Sequence, residues 1–68
     1  MIGDVGEIIL QIRTEAGLSQ EQLGRRAGVL RNNISQYEHK GVCPNVYRFE
    51  DLLNACGYEL IIRKRGTN

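Results

Sequence analysis

The stretch from Ser19 to Ile34 constrains this chain more than any other. Ser19 is followed three residues later by Gln22, the reciprocal capping-box pattern that opens a helix. Leu23 and Ala27 then lie four apart on one face, and Gly28 closes the segment after about eight residues. A second amphipathic segment follows over residues 30–39. Ile34 and Tyr37, three apart, give it an inward face, while Arg31, Asn32, Ser35 and Gln36 fall on the other side. That outer face is rich in groups able to read base edges, unlike the Glu/Lys surface of an ordinary solvated helix.

The flanks add two more helices. A helix is predicted over 5–16, where Val5, Ile8, Ile9, Ile12 and Ala16 recur at spacings of three and four, with Gly17 suited to a left-handed end. A loop over 40–44 holds the only proline, Pro44. Asn45 can cap a fourth helix over 46–55, with Val46, Phe49, Leu52, Leu53 and Cys56 on its apolar side and Gly57 at its close. The next six residues, Tyr58-Glu59-Leu60-Ile61-Ile62-Arg63, are β-branched and aromatic, with Tyr58, Leu60 and Ile62 alternating with polar neighbours, and read as a strand. A lone strand cannot satisfy its backbone groups and must pair with something, yet nothing else in the chain resembles one. There is no repeat, low-complexity run or linker. The organisation expected is therefore one helical domain over 1–57, a strand over 58–63 and a mobile tail over 64–68.

At 68 residues such a domain buries only about 60% of its unfolded surface, so it needs an economical core, a staple or a partner chain. With 41% apolar and 25% charged residues it is expected to be globular rather than disordered. No apolar run approaches the roughly 18 residues of a membrane span, and the start has no basic segment leading into an apolar one. The expected location is cytoplasmic, with no membrane partner. Cys43 and Cys56 have no companion Cys or His at zinc-ligand spacing, His39 being the only histidine. They are expected to be free, mostly packed thiols, with no metal and no cofactor. One histidine, no nucleophile elbow and no phosphate-cradling glycine loop argue against an enzyme.

Net charge is only +1, but it is unevenly spread. Residues 1–24 carry Asp4, Glu7, Glu15 and Glu21 against Arg13, whereas residues 25–48 carry Arg25, Arg26, Arg31, Lys40 and Arg48 against Glu38 alone. Phosphate contacts are expected to concentrate in that middle third. A helix, Gly28 and a second helix, with Leu23, Ala27, Val29 and Ile34 around the turn, form a helix-turn-helix arrangement. The first helix braces the second, which can then enter the major groove with its first residues against the bases.

Gly17-Leu18-Ser19-Gln20-Glu21-Gln22-Leu23, then Ala27-Gly28-Val29, then Ile34-Ser35-Gln36-Tyr37-Glu38, then Pro44, resemble the Cro/phage-repressor (Xre) family of DNA-binding domains. The resemblance runs from Arg13 to Leu60 without a gap. It implies an all-α, lambda-repressor-like bundle of four to five helices, here with the short C-terminal β-strand, and double-stranded operator DNA as the partner. It also implies roles. Gln20 would contact phosphate or support a base reader. Arg31 and Asn32 would be the main base readers, Asn33 would meet phosphate or sugar, and Gln36 a further base or phosphate. His39 and Lys40 would approach the backbone, and Arg13 and Glu38 would pair structurally. Arg pairs bidentately with guanine and Asn or Gln with adenine, which suits these types.

Three positions depart from the family pattern. Gly24 stands where alanine is usual, at an expected helix cost of up to about 1 kcal/mol. Leu30 replaces the usual Ser or Thr cap, typically worth about 1 kcal/mol. Gly41 comes one residue late.

A single helix-turn-helix reads about half an operator, so a homodimer is expected. The 58–63 strand, paired antiparallel across a two-fold axis, would bury Tyr58, Leu60 and Ile62. A similar strand occurs in HipB-like antitoxins, which dimerise this way. The expected function is a sequence-specific transcriptional regulator, a homodimeric repressor. The alternatives are an antitoxin that also binds a toxin, a restriction-modification controller, or a protein-interaction module on the same scaffold.

Overall fold

The computed structural model describes residues 4–66. Four helices form among them: α1 (Val5–Glu15), α2 (Gln20–Ala27), α3 (Arg31–His39) and α4 (Val46–Ala55). Three open on a side-chain cap. The Asp4 carboxylate accepts from the Glu7 N–H at 2.9 Å, and the Asn45 amide oxygen accepts from the Arg48 N–H at 2.8 Å. Ser19 and Gln22 exchange both bonds of the capping box, at 3.0 and 2.9 Å. Each cap satisfies N–H groups that the first helical turn leaves without partners.

The helices close around Ile9, Leu23, Val29, Ile34, Tyr37 and Leu52. One residue from α1, one from α2, two from α3, one from α4 and one from the turn suffice. Ile9, Leu23, Ile34 and Leu52 are fully enclosed, each contributing about 1.5–3 kcal/mol by leaving water. Between α2 and α3 the chain reverses through Gly28, at φ +72°. The Gly24 carbonyl accepts from the N–H groups of both Gly28 and Val29, which ends α2 and aims α3 across it.

Two glycines explain how closely the helices approach. A Cβ on Gly6 would overlap the Tyr37 carbonyl oxygen, so α1 lies directly on the α3 backbone. A Cβ on Gly24 would overlap the Val29 carbonyl oxygen in the turn. Gly24 is therefore not merely a weak point in α2: its missing side chain is the space the turn occupies.

Several expectations are corrected. α1 stops at Glu15; Ala16 is its C-cap and is exposed rather than on the apolar stripe. Val46 is exposed at the start of α4. Cys43 is exposed, its thiol donating to the Pro44 carbonyl at 3.5 Å, while Cys56 is half-buried. No strand forms over 58–63, and none among the described residues. The Tyr58 N–H donates to the Leu53 carbonyl at 2.9 Å, completing the end of α4. Its hydroxyl donates to Glu15 Oε1, also at 2.9 Å. Beyond it the chain runs without regular structure, with Leu60 half-buried and Ile62 89% exposed. The physical reason is the one already visible in the pattern: a strand needs an edge to pair with, and the described residues offer none. Of the tail expected over 64–68, Thr67 and Asn68 lie outside the described residues, and residues 64–66 are exposed.

Candidate nucleic-acid interface

α3 has an anchored face and a free face. Ile34 and Tyr37 hold the inner one. Its last turn is fixed by a polar clamp. Arg13 of α1 donates from Nε to Glu38 Oε2 at 2.7 Å and from NH2 to Glu38 Oε1 at 3.0 Å. The third arm of the same guanidinium donates to the Leu18 carbonyl at 2.9 Å. Gln20 Nε2 adds a donor to Glu38 Oε1 at 3.0 Å. The Glu38 side chain has no exposed surface, and that of Arg13 is 13% exposed. One bidentate pair thus joins α1, the α1–α2 loop, α2 and α3.

Burial alone would push the Glu38 carboxyl up. The hydrogen bonds from Arg13 and Gln20, with the Arg13 charge, outweigh it and hold the group below its ordinary value. The hydrogen bond to Glu38 raises the Arg13 pKa in turn, against the cost of its own burial. Burial also pushes the Cys56 thiol up.

On the free face, Arg31 and Asn32 in the first turn and Gln36 one turn on are all exposed. Asn33 and Ser35 are half-buried beside them. His39 and Lys40 are exposed at the far end, His39 Nε2 lying 3.8 Å from Glu38 Oε1. Gln20 is half-buried at the start of α2, with one amide N–H already given to Glu38. Arg31, Asn32 and Gln36 thus share the exposed side of α3, while Gln20 is held against Glu38 in the clamp. Leu30, the N-cap of α3, makes no side-chain cap bond.

The clamp also changes the charge balance. Glu38 is the only acidic residue between residues 25 and 48, and Arg13 neutralises it internally. Arg25, Arg26, Arg31 and Lys40 are all exposed and Arg48 half-buried. Glu21 stands 3.8 Å from Arg25, and Glu50 and Asp51 follow Arg48 along α4. The exposed basic residues of α2 and α3 supply charges of the sign that contact with phosphates requires.

Residues 9–62 match the Helix-turn-helix family. The chain belongs to that family, of the Cro/C1 (Xre) type. No curated protein and no solved structure gives a significant match. Membership makes the chain a DNA-binding regulatory domain, in which α2 and α3 are the two helices of the motif. Among the described residues no helix is long and apolar enough to cross a membrane.

Sequence reasoning missed three participants. Gly6 and Gly24 work through the side chain they lack, and only the packed structure shows what occupies that space. The Leu18 carbonyl is a backbone group, invisible to residue types. A glycine inside a helical pattern was the one available signal, since such a glycine costs stability unless packing needs it.

Proposed function

We propose that this protein is a sequence-specific regulator of transcription, a repressor that binds double-stranded operator DNA as a homodimer. α3 enters the major groove. Arg31 and Asn32 meet base edges, Gln36 a further base or phosphate, and Asn33, His39 and Lys40 the sugar-phosphate backbone. Gln20 supports this from the start of α2. The observation that carries the reading is the free face of α3. Arginine, asparagine and glutamine side chains stand exposed together on a helix whose opposite side is locked into the core. Bidentate donors and acceptors on a rigid helix are what base recognition needs, and each good pair discriminates by about 1–3 kcal/mol.

The C-terminal segment is the proposed dimer contact. Tyr58, Leu60 and Ile62 lie beyond α4, Tyr58 and Ile62 exposed and Leu60 half-buried, with no strand partner among the described residues. Two copies paired antiparallel would supply the missing edge to each other and set two α3 helices on half-sites about one DNA turn apart. A chain truncated after Gly57 is expected to sediment as a monomer and to bind DNA weakly; a truncated chain that remains a dimer sinks this part.

The main test is binding of the purified protein to its own upstream DNA and to a scrambled duplex, across a salt series. Specific binding at least ~10³-fold tighter, with Arg31→Ala costing about 1–3 kcal/mol, is the expected result. Equal, weak and steeply salt-dependent binding to both duplexes would reduce the interface to phosphate contact.

A further inference from the structure

We propose that Leu30 is a specificity-determining residue, packing on the C5-methyl group of a thymine beside the base pair met by Arg31. This rests on the reading of α3 as the base-reading helix. Leu30 occupies the N-cap of α3 with an extended backbone, φ −66° and ψ 140°, suited to a capping serine or threonine. It makes no cap bond, whereas Asp4, Ser19 and Asn45 each cap their helices. Nor does its side chain serve the core, since Leu30 is 73% exposed. Helix stability and core packing both leave a leucine here unexplained.

Its surroundings point to an occupant. Leu30 lines a shallow open groove with Arg25, Gly28, Val29 and Arg31, and Glu21 stands on the same rim. The neighbouring arginines suit phosphate and guanine. The exposed leucine beside them, unlike the buried Val29 of the same lining, suits the one apolar group on a major-groove base edge, the thymine methyl. The first residues of the second helix are also those that reach bases in this arrangement. The groove thus meets the proposed reading face at Arg31, which lines it, and its occupant is the DNA rather than an apolar side chain of another protein.

The experiment has two steps. Bound duplexes are first selected from a random library with the full-length protein. Each thymine of the selected site is then replaced by deoxyuridine, which deletes only the methyl group. The wild type is expected to lose about fourfold in affinity at one position, the worth of one buried methyl. Leu30→Ala and Leu30→Ser are expected to show no loss at that position while keeping the losses elsewhere. Leu30→Ser, by restoring a cap, is also expected to melt about 4–8 °C higher, so folding and recognition move in opposite directions. A selected site with no thymine whose methyl effect depends on Leu30 overturns this inference alone. It would then favour a protein partner for the groove. A library that yields no enriched sequence overturns the base-reading proposal itself, and this inference with it.

Discussion

The two ends of α3 are built on opposite terms. At the back, Glu38 is buried in three hydrogen bonds from Arg13 and Gln20, and the α3 backbone at Tyr37 lies against Gly6 with no side chain between. At the front, Leu30 leaves the helix uncapped and exposed, and Arg31 and Asn32 project into solvent. Stability is concentrated away from the proposed base readers, and the residues free to change are those proposed to meet base edges. Recognition can thus be altered at the front without loosening the scaffold.

The largest test of that division is Arg13→Ala. It strands a carboxylate with no exposed surface, and breaking such a pair costs about 3–5 kcal/mol. For a domain this small that lowers the melting temperature by more than about 10 °C, and DNA binding falls with it. Lost binding with an unchanged melting temperature would contradict the structural role. Acid probes the same clamp. Glu38 is held below its ordinary carboxyl value of 4.5, so its contribution is fully present above that pH and is lost as pH falls through the depressed value. Urea midpoints are expected to drop below about pH 4.5 in the wild type, and less steeply in Glu38→Gln; identical slopes would remove the clamp from the explanation.

Next in size are Gly6→Ala and Gly24→Ala. Helix propensity alone favours alanine by up to about 1 kcal/mol, but each new methyl would overlap a backbone carbonyl. Both are expected to destabilise, by about 1–3 kcal/mol as overpacking does. A stabilised Gly24→Ala would show that the turn can shift, and would blur the line between fixed back and free front. Smallest is Arg31→Ala, whose effect on stability is expected within about 0.5 kcal/mol despite its proposed cost to DNA affinity. A thermal melt checks it, and a larger drop would mean that the front end also supports the fold.

What the sequence disclosed followed distance along the chain. The Ser19–Gln22 box, the Asn45 cap and the Gly28 turn involve partners within a few residues, and their patterns were readable directly. The four helices and the inward Ile34 and Tyr37 follow from periodicity. The family was legible from the combination of residues at fixed spacing, while the pairing of Arg13 with Glu38, 25 residues apart, came only through the resemblance. Glycines inside helical patterns mark Gly6 and Gly24, but the carbonyls that approach them belong to other segments and are seen only in the packed structure. The alternation at Tyr58, Leu60 and Ile62 led to a strand the isolated chain does not form. Such a pattern records which side chains want burial, not whether an edge is present to bury them.

The clamp at Glu38 gives α3 the mechanics of a lever. A nine-residue helix is about 13 Å long, so a tilt of about 10° at the fixed end would swing Arg31 by roughly 2 Å. That exceeds the tolerance of a bidentate hydrogen bond. The aim of the front residues is therefore held by a pivot nearly the whole helix away, and a worn pivot would first appear as misread letters in an otherwise folded protein.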